Sequence, residues 1–79
     1  MTEKRIKEII AKALEVDIAQ VTNQSSTQTL AQWDSLGHIS VLTALDRALD
    51  GKLAELKEME NAYSVESILA VLRQHHLID

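Results

Sequence analysis

Trp33-Asp34-Ser35-Leu36-Gly37-His38 stands where a polar stretch gives way to a helix-periodic apolar run, and the rest of the chain falls into order around it. Asp34 or Ser35 can cap a helix by accepting a hydrogen bond from one of its first, unpaired N–H groups. That helix continues to about Leu49, ahead of Asp50-Gly51, a pair suited to a left-handed stop. At ~100° per residue counted from Leu36, His38, Val41, Leu42, Leu45 and Leu49 fall between about 140° and 240°, a stripe that faces a core. Leu36, Ser40, Thr43 and Arg47 gather on the opposite side. Leu36 therefore points away from the core beside Ser35, and with Ile39 nearby it reads as contact surface for a partner. The Ser35 hydroxyl lies at the positive end of the helix dipole beside free N–H groups, where an attached phosphate would be stabilised. Ser35 is thus a candidate attachment point.

Upstream, Ile6, Ile9, Ile10, Ala13 and Leu14 recur at i, i+3, i+4, i+7 and i+8, with Lys4, Lys7, Glu8, Lys12 and Glu15 between them. This spacing predicts a first helix over residues 3–15. Val16 to Gln32 loses the period and is rich in Thr, Ser, Asn and Gln, with Ile18, Val21 and Leu30 spaced as anchors. A connection of that length reads as an ordered connector held by its own side chains. Downstream, Leu53, Leu56 and Met59, within Lys52 to Ala62, predict a short third helix or helical turn. Ser64-Val65-Glu66-Ser67 has the outline of a capping box, with Ser67 where Glu or Gln would close it. Val65, Ile68, Leu69, Val71 and Leu72 then give a final helix to about Gln74. The expected fold is all-α: a small four-helix bundle over residues 1–79, one domain, with a long loop between helices one and two and a short third helix.

Seventy-nine residues can remove roughly 60% of the unfolded surface from water, close to the lower limit for a core without staples. A complete enzyme with its own substrate pocket would be cramped. Trp33 and Tyr63 are the only aromatic residues, which predicts an aliphatic core. Twelve acidic residues against eight basic ones argue against nucleic acid or an anionic membrane as the main partner and for a basic surface on another protein. Cysteine is absent, so thiol chemistry would need an imported thiol. No segment reaches the ~20 apolar residues of a membrane span, and the start has no apolar signal core. A cytoplasmic protein without membrane insertion is expected.

Asp34-Ser35-Leu36 resembles the Asp-Ser-Leu attachment motif of acyl carrier proteins, the phosphopantetheine-bearing carrier family. The likeness extends along the whole chain. Leu14-Glu15-Val16, Val21-Thr22-Asn23, Leu30 and Asp34-Ser35-Leu36 resemble that family's first helix end, loop and attachment site in order and spacing, and Ala44-Leu45, Leu49, Leu53 and Ser64-Val65 resemble its core positions. Trp33 to His38 is similar to the variant in specialised free-standing carriers. The resemblance implies that a phosphopantetheinyl transferase, using coenzyme A and a divalent metal, joins 4′-phosphopantetheine to Ser35, with Asp34 helping to recruit and orient it. The arm's thiol would hold acyl groups as thioesters for acyl-loading and acyl-transfer enzymes. The protein, a monomer, would have no catalysis of its own. Its partner surface would comprise Leu36, Ile39, Ser40, Thr43 and Arg47. Gly37, Ser40 and Arg47, with Asp46 retained, depart from the strongly acidic second helix of the common fatty-acid carrier, which points to a specialised lipid or polyketide pathway. An aminoacyl or peptidyl carrier is the alternative in the same class. Outside it stands a helical protein-interaction domain in which Ser35 only caps a helix.

His38, three residues after Ser35, raises the possibility of a serine–histidine pair, but Trp33 breaks the Gly-x-Ser-x-Gly elbow at its first position. His38 reads instead as a helix residue near the loop. His75 and His76 diverge by about 100° on a helix and lack further ligands at metal-site spacing, so they read as a frayed polar terminus and no metal is expected. Lys4, Arg5, Lys7 and Lys12 are interrupted by Glu3, Glu8 and Glu15 and read as a solvated face. Gly37 suggests close approach of a partner or the arm to the backbone.

Overall fold

Thr2 opens the first helix. In the computed structural model, which describes residues 1–78, its hydroxyl accepts from the Arg5 N–H at 3.2 Å, and α1 runs Glu3–Leu14. Ile6, Ile9, Ile10 and Leu14 are buried as the apolar spacing predicts, joined by Ala11, while Ala13 is only partly buried; each large aliphatic side chain stabilises by roughly 1.5–3 kcal/mol on burial. α2 spans Ser35–Ala48 and packs against α1; Val41, Leu45 and the C-cap Leu49 are buried in the core. α3, Val65–Gln74, completes the core with Val65, Ile68, Leu69 and Leu72. The described residues contain no strand, only an isolated antiparallel bridge between Ser26 and Ser64.

The described residues form an all-helical fold with three α-helices and not the expected four. Lys52 to Ala62 forms two 3₁₀ helices, Lys52–Glu55 and Lys57–Asn61, broken at Leu56 (φ −102°, ψ 88°). The reason lies in the period of the apolar residues. Leu53, Leu56 and Met59 repeat every third position, which lines one face of a three-residue turn, whereas an α-helix would rotate them apart and offers no i+4 partner here. Leu53 and Met59 are buried on that face.

The Val16 to Gln32 connector is held as its polar composition requires. Ser25, buried, donates through Oγ to the Gln20 carbonyl (2.9 Å) and accepts from the Thr22 N–H (2.9 Å). The Ser26 N–H donates to Thr29 Oγ1 (2.8 Å). The loop is then sewn to the start of α3, where the Val65 N–H donates to the Ser25 carbonyl (2.9 Å) and the Thr27 N–H to the Tyr63 carbonyl (3.0 Å). Val21 is buried and Leu30 packs against the core. Ile18 is a correction: it lies in a 3₁₀ turn, Ile18–Gln20, that is in contact with α1, yet Ile18 itself is 47% exposed.

Two further expectations change. Ser67 does close the capping box: Ser64 Oγ accepts from the Ser67 N–H and Ser67 Oγ accepts from the Ser64 N–H, both at 3.1 Å. A hydroxyl is long enough here because it lies over the turn it caps. The His75-His76 end is not frayed. His76 takes a left-handed turn (φ 58°), with its N–H on the Arg73 carbonyl (3.0 Å) and that of Leu77 on the Leu72 carbonyl (2.8 Å), the paired bonds of a Schellman stop. That turn returns Ile78 to the core at 8% exposure. His75 Nε2 meets Glu58 Oε2 at 3.1 Å, and this hydrogen bond holds the Glu58 carboxyl below its usual range.

Glu3 joins three parts of the chain. Asn23 Nδ2 donates to its Oε1 (3.2 Å), which is the main reason its carboxyl lies below the ordinary glutamate range. Partial burial opposes the shift, and Arg73 and Lys7 add to it. A lowered folded pKa stabilises the fold at pH above the unfolded glutamate value and loses that contribution as pH falls through the folded one. Between those limits Glu3→Gln is expected to flatten the acid side of the stability curve, checked by urea midpoints against pH. Equal slopes in both proteins would count against it.

Candidate functional site

The corner before α2 is built from Trp33. Its side chain is fully buried, so the core is not purely aliphatic: one indole fills the space between the connector and α2. An indole N–H buried in a core needs an acceptor. Trp33 Nε1 donates to His38 Nδ1 at 3.0 Å. Because indole can only donate, Nδ1 must be the unprotonated nitrogen of a neutral ring, which puts the proton on Nε2. Nε2 faces the Glu60 carbonyl at 3.3 Å. His38 is itself buried, and its ring lies 4.8 Å from that of Tyr63, tilted by 48°. One chain of contacts thus runs from the pre-helix corner through α2 to the segment before α3.

On this support sits Asp34. Its Oδ1 accepts from the Gly37 N–H at 2.8 Å, so Asp34 is the helix cap. Ser35 is the first residue of α2, exposed to solvent, and its hydroxyl takes no part in capping. The His38 N–H goes to the Asp34 carbonyl (2.8 Å), leaving the N–H groups of Ser35 and Leu36 outside the helical ladder. A hydroxyl beside two free N–H groups and a positive helix end can carry an anionic substituent at little electrostatic cost. It is not a nucleophile with a base in place, since both nitrogens of His38 are engaged, by Trp33 and by Glu60.

Gly37 has a different use from the expected one. A Cβ at this position would press into the Gln32 carbonyl oxygen and lie 3.0 Å from Leu14 Cδ2. The close approach is made by the chain itself, seating the first turn of α2 against the connector and the end of α1. Gly37→Ala is expected to destabilise by about 1–3 kcal/mol through overpacking, outweighing the ~1 kcal/mol that alanine gains in a helix. Thermal unfolding checks this, and a raised midpoint would contradict it.

The five surface residues of α2 divide clearly from its core stripe. Leu36 is 76% and Ile39 59% exposed, and Ser40, Thr43 and Arg47 are exposed with them. Asp46, the only acidic residue of α2, is half-buried and its Oδ1 accepts from the Ala54 N–H (3.1 Å). It fastens the 3₁₀ segment and does not belong to the exposed row. Arg47 lies instead with Arg5, Glu8 and Lys12 along the groove between α1 and α2. The negative net charge suggests a basic partner surface, yet the outer side of α2 is apolar with a cationic edge.

No family model matches the chain, and no solved structure gives a significant match. Among the described residues no cluster of side chains could hold a metal ion, and no helix is long and apolar enough to cross a membrane. The Trp33–His38–Tyr63 contacts were not predicted. A signal for them was present: His38 falls on the core stripe, and a buried imidazole needs partners.

Proposed function

We propose that this protein is an acyl carrier, modified at Ser35 with 4′-phosphopantetheine. The observation that carries the reading is the exposed Ser35 hydroxyl at the first position of α2, relieved of capping by Asp34. A serine that served only as a helix cap would hold the bond that Asp34 holds. The order of motifs along the chain supports the same reading.

In the modification, Ser35 Oγ attacks the β-phosphorus of coenzyme A. The bond from that phosphorus to the bridging oxygen breaks, adenosine 3′,5′-bisphosphate leaves with the electron pair, and the serine proton passes to a base of the transferase. Ser35 and Leu36, whose N–H groups lie outside the helical ladder, would hold the anionic phosphodiester. The arm would supply the thiol that a chain without cysteine lacks, for acyl groups held as thioesters. Leu36 and Ile39 form the apolar centre of a docking surface, with Ser40, Thr43 and Arg47 at its rim. A partner enzyme for this row presents an apolar recess and an acidic edge, and a specialised lipid or polyketide pathway fits that departure from an acidic helix.

The test is incubation with coenzyme A, magnesium and a broad-specificity phosphopantetheinyl transferase, read by intact mass. A gain of one phosphopantetheine is expected. No gain on the folded chain would end this reading.

A further inference from the structure

Beside Ser35 lies an open cleft of about 420 Å³, walled by Thr27, Trp33, Asp34, Ser35, His38 and Tyr63. Its walls come from the connector, the α2 corner and the approach to α3, and they are fixed to one another. The Thr27 N–H holds the Tyr63 carbonyl (3.0 Å), and the His38 ring, which Tyr63 leans against, is bonded at both nitrogens. Tyr63 is 47% exposed, and its hydroxyl donates to Asn61 Oδ1 (3.2 Å). A large aromatic side chain held in place at the surface, one face open, offers an apolar platform whose ordering cost has already been met by folding. Polar capacity surrounds it. Asp34 spends one oxygen on its cap, and among the described residues the Thr27 hydroxyl makes no hydrogen bond.

We propose that this cleft is a docking site for the pantoyl segment of an arm on Ser35, a proposal that rests on the carrier reading. The dimethyl carbon of the pantoyl group packs on the open face of Tyr63 against the edge of His38. Its hydroxyl and first amide turn toward Thr27 and the second oxygen of Asp34. The occupant is fixed by covalent geometry, since Ser35 is itself a wall of the cleft and whatever follows the phosphate begins there. Tethering raises the local concentration into the ~mM range, so a shallow site with a few contacts suffices. An arm parked in this way keeps its thioester close to the protein until a partner draws it out.

The experiment uses the full chain modified with coenzyme A carrying ¹³C-labelled pantetheine. Isotope-filtered NMR is expected to show contacts from the pantoyl methyls to the Tyr63 and His38 rings, with upfield displacement of the methyl signals relative to free pantetheine. In modified Tyr63→Ala both effects disappear while the mass gain is kept. Tyr63→Leu, which preserves an apolar wall, loses the displacement and keeps contacts to residue 63. Methyl signals at their free positions without ring contacts, on a fully modified native chain, overturn the docking site and leave the carrier reading standing. Failure to modify the chain at all removes both.

Discussion

The Ser35→Ala variant is expected to fold as the native chain does and, on the carrier reading, to take up no phosphopantetheine. The first half of this result follows from what the hydroxyl does in the fold, which is nothing: Asp34 makes the capping bond and Ser35 is exposed. Alanine is the best helix former, and an exposed first-turn position without a role tolerates it within about 0.5 kcal/mol. The second half is expected to be all or none, because the proposed phosphodiester would need that oxygen. Asp34→Ala behaves differently. It strands the Gly37 N–H and costs about 0.5–2 kcal/mol of stability, while the acceptor hydroxyl remains, so modification slows without vanishing. Intact mass and far-UV circular dichroism on the same samples read both effects. A Ser35→Ala chain that gained the same mass as the native one would place the modification elsewhere.

Trp33→Ala is expected to unfold much of the population at room temperature. Removing a large, fully buried aromatic side chain costs about 3–5 kcal/mol, and the acceptor left behind on His38 Nδ1 adds roughly 1–3 kcal/mol. Small domains hold only about 5–15 kcal/mol in total, and 79 residues belong at the lower end of that range. Trp33→Phe separates the two contributions, since it keeps most of the ring and deletes the N–H donor. Urea unfolding followed by circular dichroism should rank the chains native, Trp33→Phe, Trp33→Ala. If Trp33→Ala stayed as stable as the native chain, the corner before α2 would not depend on the indole.

Why the sequence disclosed some of this and withheld the rest can be seen residue by residue. The cores of α1, α2 and α3 were readable because Ile6 to Leu14, Val41 to Leu49 and Val65 to Leu72 carry a 3.6-residue period, and period alone decides which side is buried. Leu36 could be placed outward by the same arithmetic. Leu53, Leu56 and Met59 predicted a short third helix or helical turn, and turns are what formed; a run this short left the choice open, although spacing three without an i+4 partner favours 3₁₀ turns over an α-helix. Trp33 was out of reach for another reason. It stands outside any periodic run, so nothing local says that it fills the core, and its bond to His38 depends on the path of the connector. Gly37 was legible as unusual, but what crowds it is a carbonyl from Gln32 and a side chain from Leu14, a contact set by tertiary packing. Ser35 sits between these cases. Its place at a helix start was readable, and the choice between Asp34 and Ser35 as the cap required the geometry.

The solitary indole gives the molecule a built-in optical gauge. Trp33 is the only tryptophan in the chain; it is sealed from water, hydrogen-bonded to an imidazole and two residues from Ser35. Its emission therefore comes from one site and one environment, without interference from other indoles. Any loosening of the corner on which Ser35 stands, by heat, by a docking enzyme or by a group attached to that serine, registers as a change in colour or yield in an unlabelled sample.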